Sequence, residues 1–73
     1  MTAAELAKIF RTRYHSAQKG YRVTSIHLFG IEFAEALRGH DIKDICVEAD
    51  VSVSFVTEIY KGMRLSEFVD IRK

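Results

Sequence analysis

The residues capable of chemistry are few and dispersed. His15, His27 and His40 stand twelve and thirteen positions apart, a spacing that builds no metal site. Cys46 is the only cysteine in 73 residues, so neither an intrachain disulfide nor a structural zinc group is expected. It falls on an apolar helical stripe, which makes it a small core residue rather than a nucleophile. Glu32 and Glu35 lie three apart, the pattern of a solvated helix face. Gly30, Gly39 and Gly62 are too scattered to cradle a phosphate. No catalytic residue, metal or cofactor is expected, and the chain reads as a non-enzyme. Its chemistry must then be that of a surface, set by the elements that carry it.

The chain holds 11 basic and 10 acidic residues, 48% apolar residues, four glycines and no proline. That composition fits one small globular domain over residues 1–73. A chain this short buries only about 60–65% of its unfolded surface, which argues against a deep enzymatic cleft. No apolar run approaches the roughly 18–20 residues of a membrane span. Glu5 and Lys8 interrupt any signal-peptide core. With the single cysteine, this makes a reducing cytoplasm the expected compartment.

The near-neutral total conceals a sorted distribution. Residues 1–22 carry Lys8, Arg11, Arg13, Lys19 and Arg22 against Glu5 alone. Residues 23–60 carry Arg38 and Lys43 against Glu32, Glu35, Asp41, Asp44, Glu48, Asp50 and Glu58. Residues 61–73 carry Lys61, Arg64, Arg72 and Lys73 against Glu67 and Asp70. Basic ends flank an acidic middle, and this governs partners more than the total does.

Thr2 and Glu5 form a T-x-x-E capping box. Behind it Ala3, Leu6, Phe10, Tyr14 and Ala17 recur every three or four residues, with Ile9 beside them, predicting a first helix of about four turns. Gly20 ends that helix or its following turn. A second, central helix is predicted from a cap at Thr24 or Ser25, with Ile26, Phe29, Phe33 and Leu37 as its stripe. Gly30 inside it points to close approach of another helix, or else to a kink or an extended entry over 23–27. Gly39 closes this helix.

From Asp41 the pattern shortens. Asp41 caps a helix holding Ile42, Ile45, Cys46 and Ala49. After Asp50-Val51, Ser52 caps another holding Val56, Ile59, Tyr60 and Met63. Two short helices joined this tightly read as a helix-turn-helix. The tail, 65–71, fits either a further helical turn or an extended packing segment. The expected fold is all-α: a small four-helix domain containing a helix-turn-helix, with a short C-terminal tail. The expected core is Leu6, Phe10, Ile26, Phe29, Phe33, Leu37, Ile45, Cys46, Val56 and Ile59.

Residues 42–59 resemble the helix-turn-helix of bacterial repressors, the lac repressor family among them. Cys46 occupies the small-residue position where the two helices approach. Val51-Ser52 matches the lead into the recognition helix, and Val56 and Ile59 match the apolar pair that pins it. Asp50 stands where that family usually has glycine, a departure tolerable because aspartate adopts left-handed geometry more readily than most residues. The whole chain also looks like small bacterial helix-turn-helix-like domain proteins, through the stretch 23–30 and Lys61-Gly62-Met63.

The resemblance implies that Val53, Ser54 and Glu58 occupy base-reading positions, with Ser52 and Thr57 on phosphates. Val53 would meet a thymine methyl, Ser54 several bases, and Glu58 a cytosine amino group. Double-stranded DNA is then the expected partner. Residues 41–60 carry only Lys43 against five acids, so Lys61, Arg64 and the cluster Lys8, Arg11 and Arg13 would have to neutralise phosphates. The function expected is a small DNA-binding transcriptional regulator or accessory factor. The alternative is a helical protein-interaction module without DNA binding, associating with itself or a partner through Val53 and Phe55.

Overall fold

A computed structural model describes residues 1–72. The fold is all-helical, with no strand among the described residues. Its helices are α1 (Ala3–Ser16), α2 (Arg22–Glu32), α3 (Ala34–Leu37), α4 (Ile42–Glu48) and α5 (Val56–Leu65), the last preceded by a 3-10 turn over Val53–Phe55. The capping box forms as its residue types dictate. Thr2 Oγ1 accepts from the Glu5 backbone N–H at 3.1 Å, and the Thr2 N–H donates to Glu5 Oε1 at 2.8 Å. These bonds hold the Glu5 carboxyl below its usual range.

The entry to α2 differs from expectation. Thr24 and Ser25 lie inside the helix, which starts at Arg22 without a side-chain cap. Gly20, at φ +89°, closes a turn in which the Tyr21 N–H donates to the Gln18 carbonyl at 2.9 Å. The chain is thereby aimed into the helix before either hydroxyl is reached. The segment 23–27 is helical, not extended. The expected single second helix is also interrupted: Phe33, at φ −108° and ψ 20°, separates α2 from α3.

Gly30 explains itself in α5. A Cβ added there would sit 2.6 Å from the Ile59 carbonyl oxygen and 3.0 Å from Gly62 Cα. At Gly62 an added Cβ would collide with the His27 carbonyl oxygen. The two helices therefore touch backbone to backbone, and the roughly 1 kcal/mol that a helical glycine costs is the condition of that contact. α2 is central, packed along α5 on one side and crossed by α1 on another.

Leu6, Phe10, Ile26, Phe29, Leu37, Ile45, Cys46 and Ile59 are fully buried. Phe33 and Val56 are only half-buried against this core, while Ala7, Ile42, Ala49 and Val51 join it. Burial pushes the Cys46 thiol up, away from the thiolate. Through the core runs a row of rings. Phe33 meets Phe29 at 5.3 Å, Phe29 stacks on Phe10 at 4.7 Å, Phe10 meets Tyr14 at 6.2 Å, and Tyr14 meets Phe55 at 5.8 Å. Phe55 is thus half-buried against α1, not the open apolar contact expected of it.

Of the two alternatives for the tail, the further turn is the one that forms. Residues 66–68 make one more turn, with the Phe68 and Val69 N–H groups donating to the Leu65 carbonyl, and residues 69–72 are irregular. Asp70 and Ile71 line an open hollow of about 190 Å³ together with Ile31 and Glu32 of α2.

Candidate nucleic-acid interface

The connection between α4 and α5 is built from sequence-local bonds. Asp41 caps α4, accepting from the Lys43 N–H at 3.0 Å. At the far end Asp50 adopts φ 59°. Its N–H donates to the Val47 carbonyl at 3.2 Å, and the Val51 N–H donates to the Cys46 carbonyl at 3.0 Å. Those two bonds are the Schellman closure of a helix, with aspartate in the left-handed position that glycine most often fills. Val51, buried, anchors the turn to the core. Ser52 Oγ then accepts from the Ser54 N–H at 3.2 Å and pairs with Ser54 Oγ at 2.8 Å. The chain re-enters helical geometry at once, and α5 leaves the turn with one face fixed.

That face is Phe55, Val56, Ile59, Gly62 and Met63, all buried or half-buried. Opposite it, Ser54, Thr57, Lys61 and Arg64 recur at helical spacing and all are exposed. Val53 and Tyr60 flank this stripe, 44% and 47% exposed. Tyr60 was expected in the apolar stripe. It sits one residue past Ile59, and that 100° step turns it outward.

Glu58 behaves differently from its neighbours. Its Oε1 lies 2.7 Å from His27 Nε2 of α2, and Lys61 Nζ donates to its Oε2 at 3.2 Å. His27 first and Lys61 second hold its carboxyl below the usual range. Both oxygens are engaged and the side chain is mostly covered. The expectation of Glu58 as an open acceptor is therefore corrected: it belongs to the α2–α5 junction. His27 stands 31 positions away, and nothing local marks the pairing.

The basic N-terminal cluster divides in the same way. Arg13 makes a bidentate pair with Glu32, at 2.8 and 3.1 Å, and its guanidinium lies 5.1 Å from the Phe33 ring centre. It is not available as the free cation expected. Lys8 and Arg11 are exposed. Arg22, which the sequence motifs did not single out, is exposed and stands over the Tyr14 ring at 5.4 Å.

Among the described residues no group of three or more His, Cys, Asp or Glu side chains is placed to hold a metal ion. No helix of the described residues is long and apolar enough to cross a membrane.

Two short helices about a left-handed turn, the second carrying a bare polar face, define a helix-turn-helix domain. The chain belongs to the HTH-like domain family, whose profile matches residues 2–72. Neither a curated protein nor a solved structure matches it.

Proposed function

We propose that this protein is a small DNA-binding transcriptional regulator or accessory factor that docks the outer face of α5 in the major groove. The observation that carries the reading is the composition of that face. Ser54, Thr57, Lys61 and Arg64 are exposed along one stripe, and the one carboxylate of α5 is drawn aside to His27. Val53 and Ser54, at the start of the helix, face base edges, as the resemblance to the lac repressor family implies. Ser52, Thr57, Lys61 and Arg64 bond phosphates. Glu58 acts indirectly, by holding Lys61.

A salt titration of binding to a short mixed-sequence duplex tests this. Affinity should fall steeply, with a log–log slope of about −0.9 per phosphate neutralised. Absence of duplex binding in dilute buffer would sink the reading.

One observation favours the alternative, a protein-interaction module. Phe68 is 80% exposed, and with Leu65, Lys61 and Arg64 it lines a groove of about 300 Å³. Of the apolar surface expected at Val53 and Phe55 only Val53 is open, and a larger apolar surface lies at the other end of α5. On that reading Phe68→Asp abolishes self-association or partner binding, and the duplex binds nowhere.

A further inference from the structure

The helix-turn-helix is acidic: residues 41–65 hold five acids against Lys43, Lys61 and Arg64. Lys61 and Arg64 do not offset those acids, so further phosphate neutralisation must come from outside the motif, and the row of aromatic rings points to where. The row ends at Phe33 on one side and at Tyr14 and Phe55 on the other. Arginines stand over Phe33 and over Tyr14. Arg13, over Phe33, spends its N–H donors on Glu32. Arg22, over Tyr14, has no carboxylate within ion-pair distance among the described residues. Tyr14 in turn packs on Phe55, the residue that follows Ser54 at the mouth of α5. Two ring contacts thus tie a free guanidinium to the start of the candidate reading helix. A cation–π contact uses no N–H donor, so the Arg22 guanidinium keeps its donors for phosphate oxygens. Lys19 lines the same open hollow as Arg22, with Gly20 and Val23, about 490 Å³ in volume.

We propose that Arg22, with Lys19 beside it, is a DNA-backbone site that grips a phosphate flanking the groove entered by α5. The inference rests on the DNA-binding reading above. It assigns to the α1–α2 corner the part of the neutralising role that Lys61 and Arg64 of the acidic helix-turn-helix cannot fill alone.

The test compares Arg22→Gln, Arg22→Lys and Arg13→Gln in the full chain. Each is titrated with a short mixed-sequence duplex between about 50 and 200 mM salt. Arg22→Gln should weaken binding about five- to tenfold near 0.1 M salt and reduce the log–log salt slope by about one. Arg22→Lys, which keeps the charge, should restore the slope. Arg13→Gln should leave the slope unchanged while lowering the melting temperature. Thermal melts of Arg22→Gln should match the parent, because the side chain is exposed. If the parent and Lys61→Ala behave as DNA binders but Arg22→Gln keeps the parental slope, the corner site is wrong and the α5 reading stands. If the parent binds no duplex, both fall.

Discussion

On the side of α5 that meets α2, a single methyl group has no room. On the other side runs a row of exposed polar side chains whose hydrogen bonds go only to near neighbours in the chain, Ser54 to Ser52 and Lys61 to Glu58. The first side is governed by distance: at the Gly30–Gly62 crossing an added Cβ meets backbone atoms, which cannot rotate away. The second is governed by charge and hydrogen-bonding capacity, and the side chains along Ser54, Thr57, Lys61 and Arg64 are exchangeable as far as folding is concerned. One helix therefore separates what makes the domain fold from what makes it bind. Substitutions on the two faces should produce effects that do not overlap.

The largest effect is expected at the crossing. Gly30→Ala places a Cβ 2.6 Å from the Ile59 carbonyl oxygen, so α2 and α5 must separate. Overpacking of this kind costs about 1–3 kcal/mol and sometimes more, and backbone contact puts it at the upper end. Better helix propensity returns about 1 kcal/mol. A net loss of about 2 kcal/mol lowers Tm by roughly 8–16 °C in a domain of this size. A melt in which Gly30→Ala gains stability would mean that the crossing is looser than described.

Which face of α5 turns inward is set at Asp50. Left-handed geometry costs ordinary residues about 1–2 kcal/mol and β-branched ones most. Asp50→Val should lose that amount in a urea titration. Asp50→Gly should stay within about 0.5 kcal/mol of the parent, since relief of the turn is offset by a freer unfolded chain. Equal stability of both variants would show that the turn does not depend on its left-handed residue.

Much of this was legible in the sequence because it is local. The Thr2–Glu5 box, the caps at Asp41 and Ser52, the closing glycines at 20 and 39 and the apolar stripes all act within four residues of themselves. Gly30 was legible for another reason: a glycine amid good helix formers implies a neighbour, though not which one. The missed features are pairings across the chain. Arg13 with Glu32 spans 19 positions, and His27 with Glu58 spans 31. Each changes the role of a charged residue, and no periodicity encodes it. The break at Phe33 and the outward turn of Tyr60 likewise depend on how helices settle against one another.

On the outer face the effect on folding should nearly vanish. Thr57→Ala and Lys61→Ala are expected within about 0.5 kcal/mol of the parent by thermal melt, as exposed substitutions usually are. Under the proposed function both weaken duplex binding, and Lys61→Ala lowers the salt slope by about one. A large loss of stability in either would erase the separation between the two faces.

The smallest effect sits where the faces meet, at Glu58. Its carboxyl is held below the usual range, by His27 from α2 and then by Lys61 one turn along. A carboxyl lowered in this way contributes stability that is fully present above its unfolded value. That contribution disappears as pH falls through the lowered folded value. Glu58→Gln keeps the shape but has nothing to titrate. The variant should be slightly less stable than the parent at neutral pH, and the gap should close as the solution is acidified. Glu5, also lowered, titrates in both proteins and drops out of the difference. Denaturant midpoints across the acid range measure that convergence, and a gap independent of pH would show that the His27–Glu58 contact acts through packing alone. In duplex binding the same variant releases Lys61 from its partner and removes a negative charge beside the phosphates. Affinity should then rise for every sequence tested, whereas a loss confined to one preferred site would return Glu58 to the reading of a base.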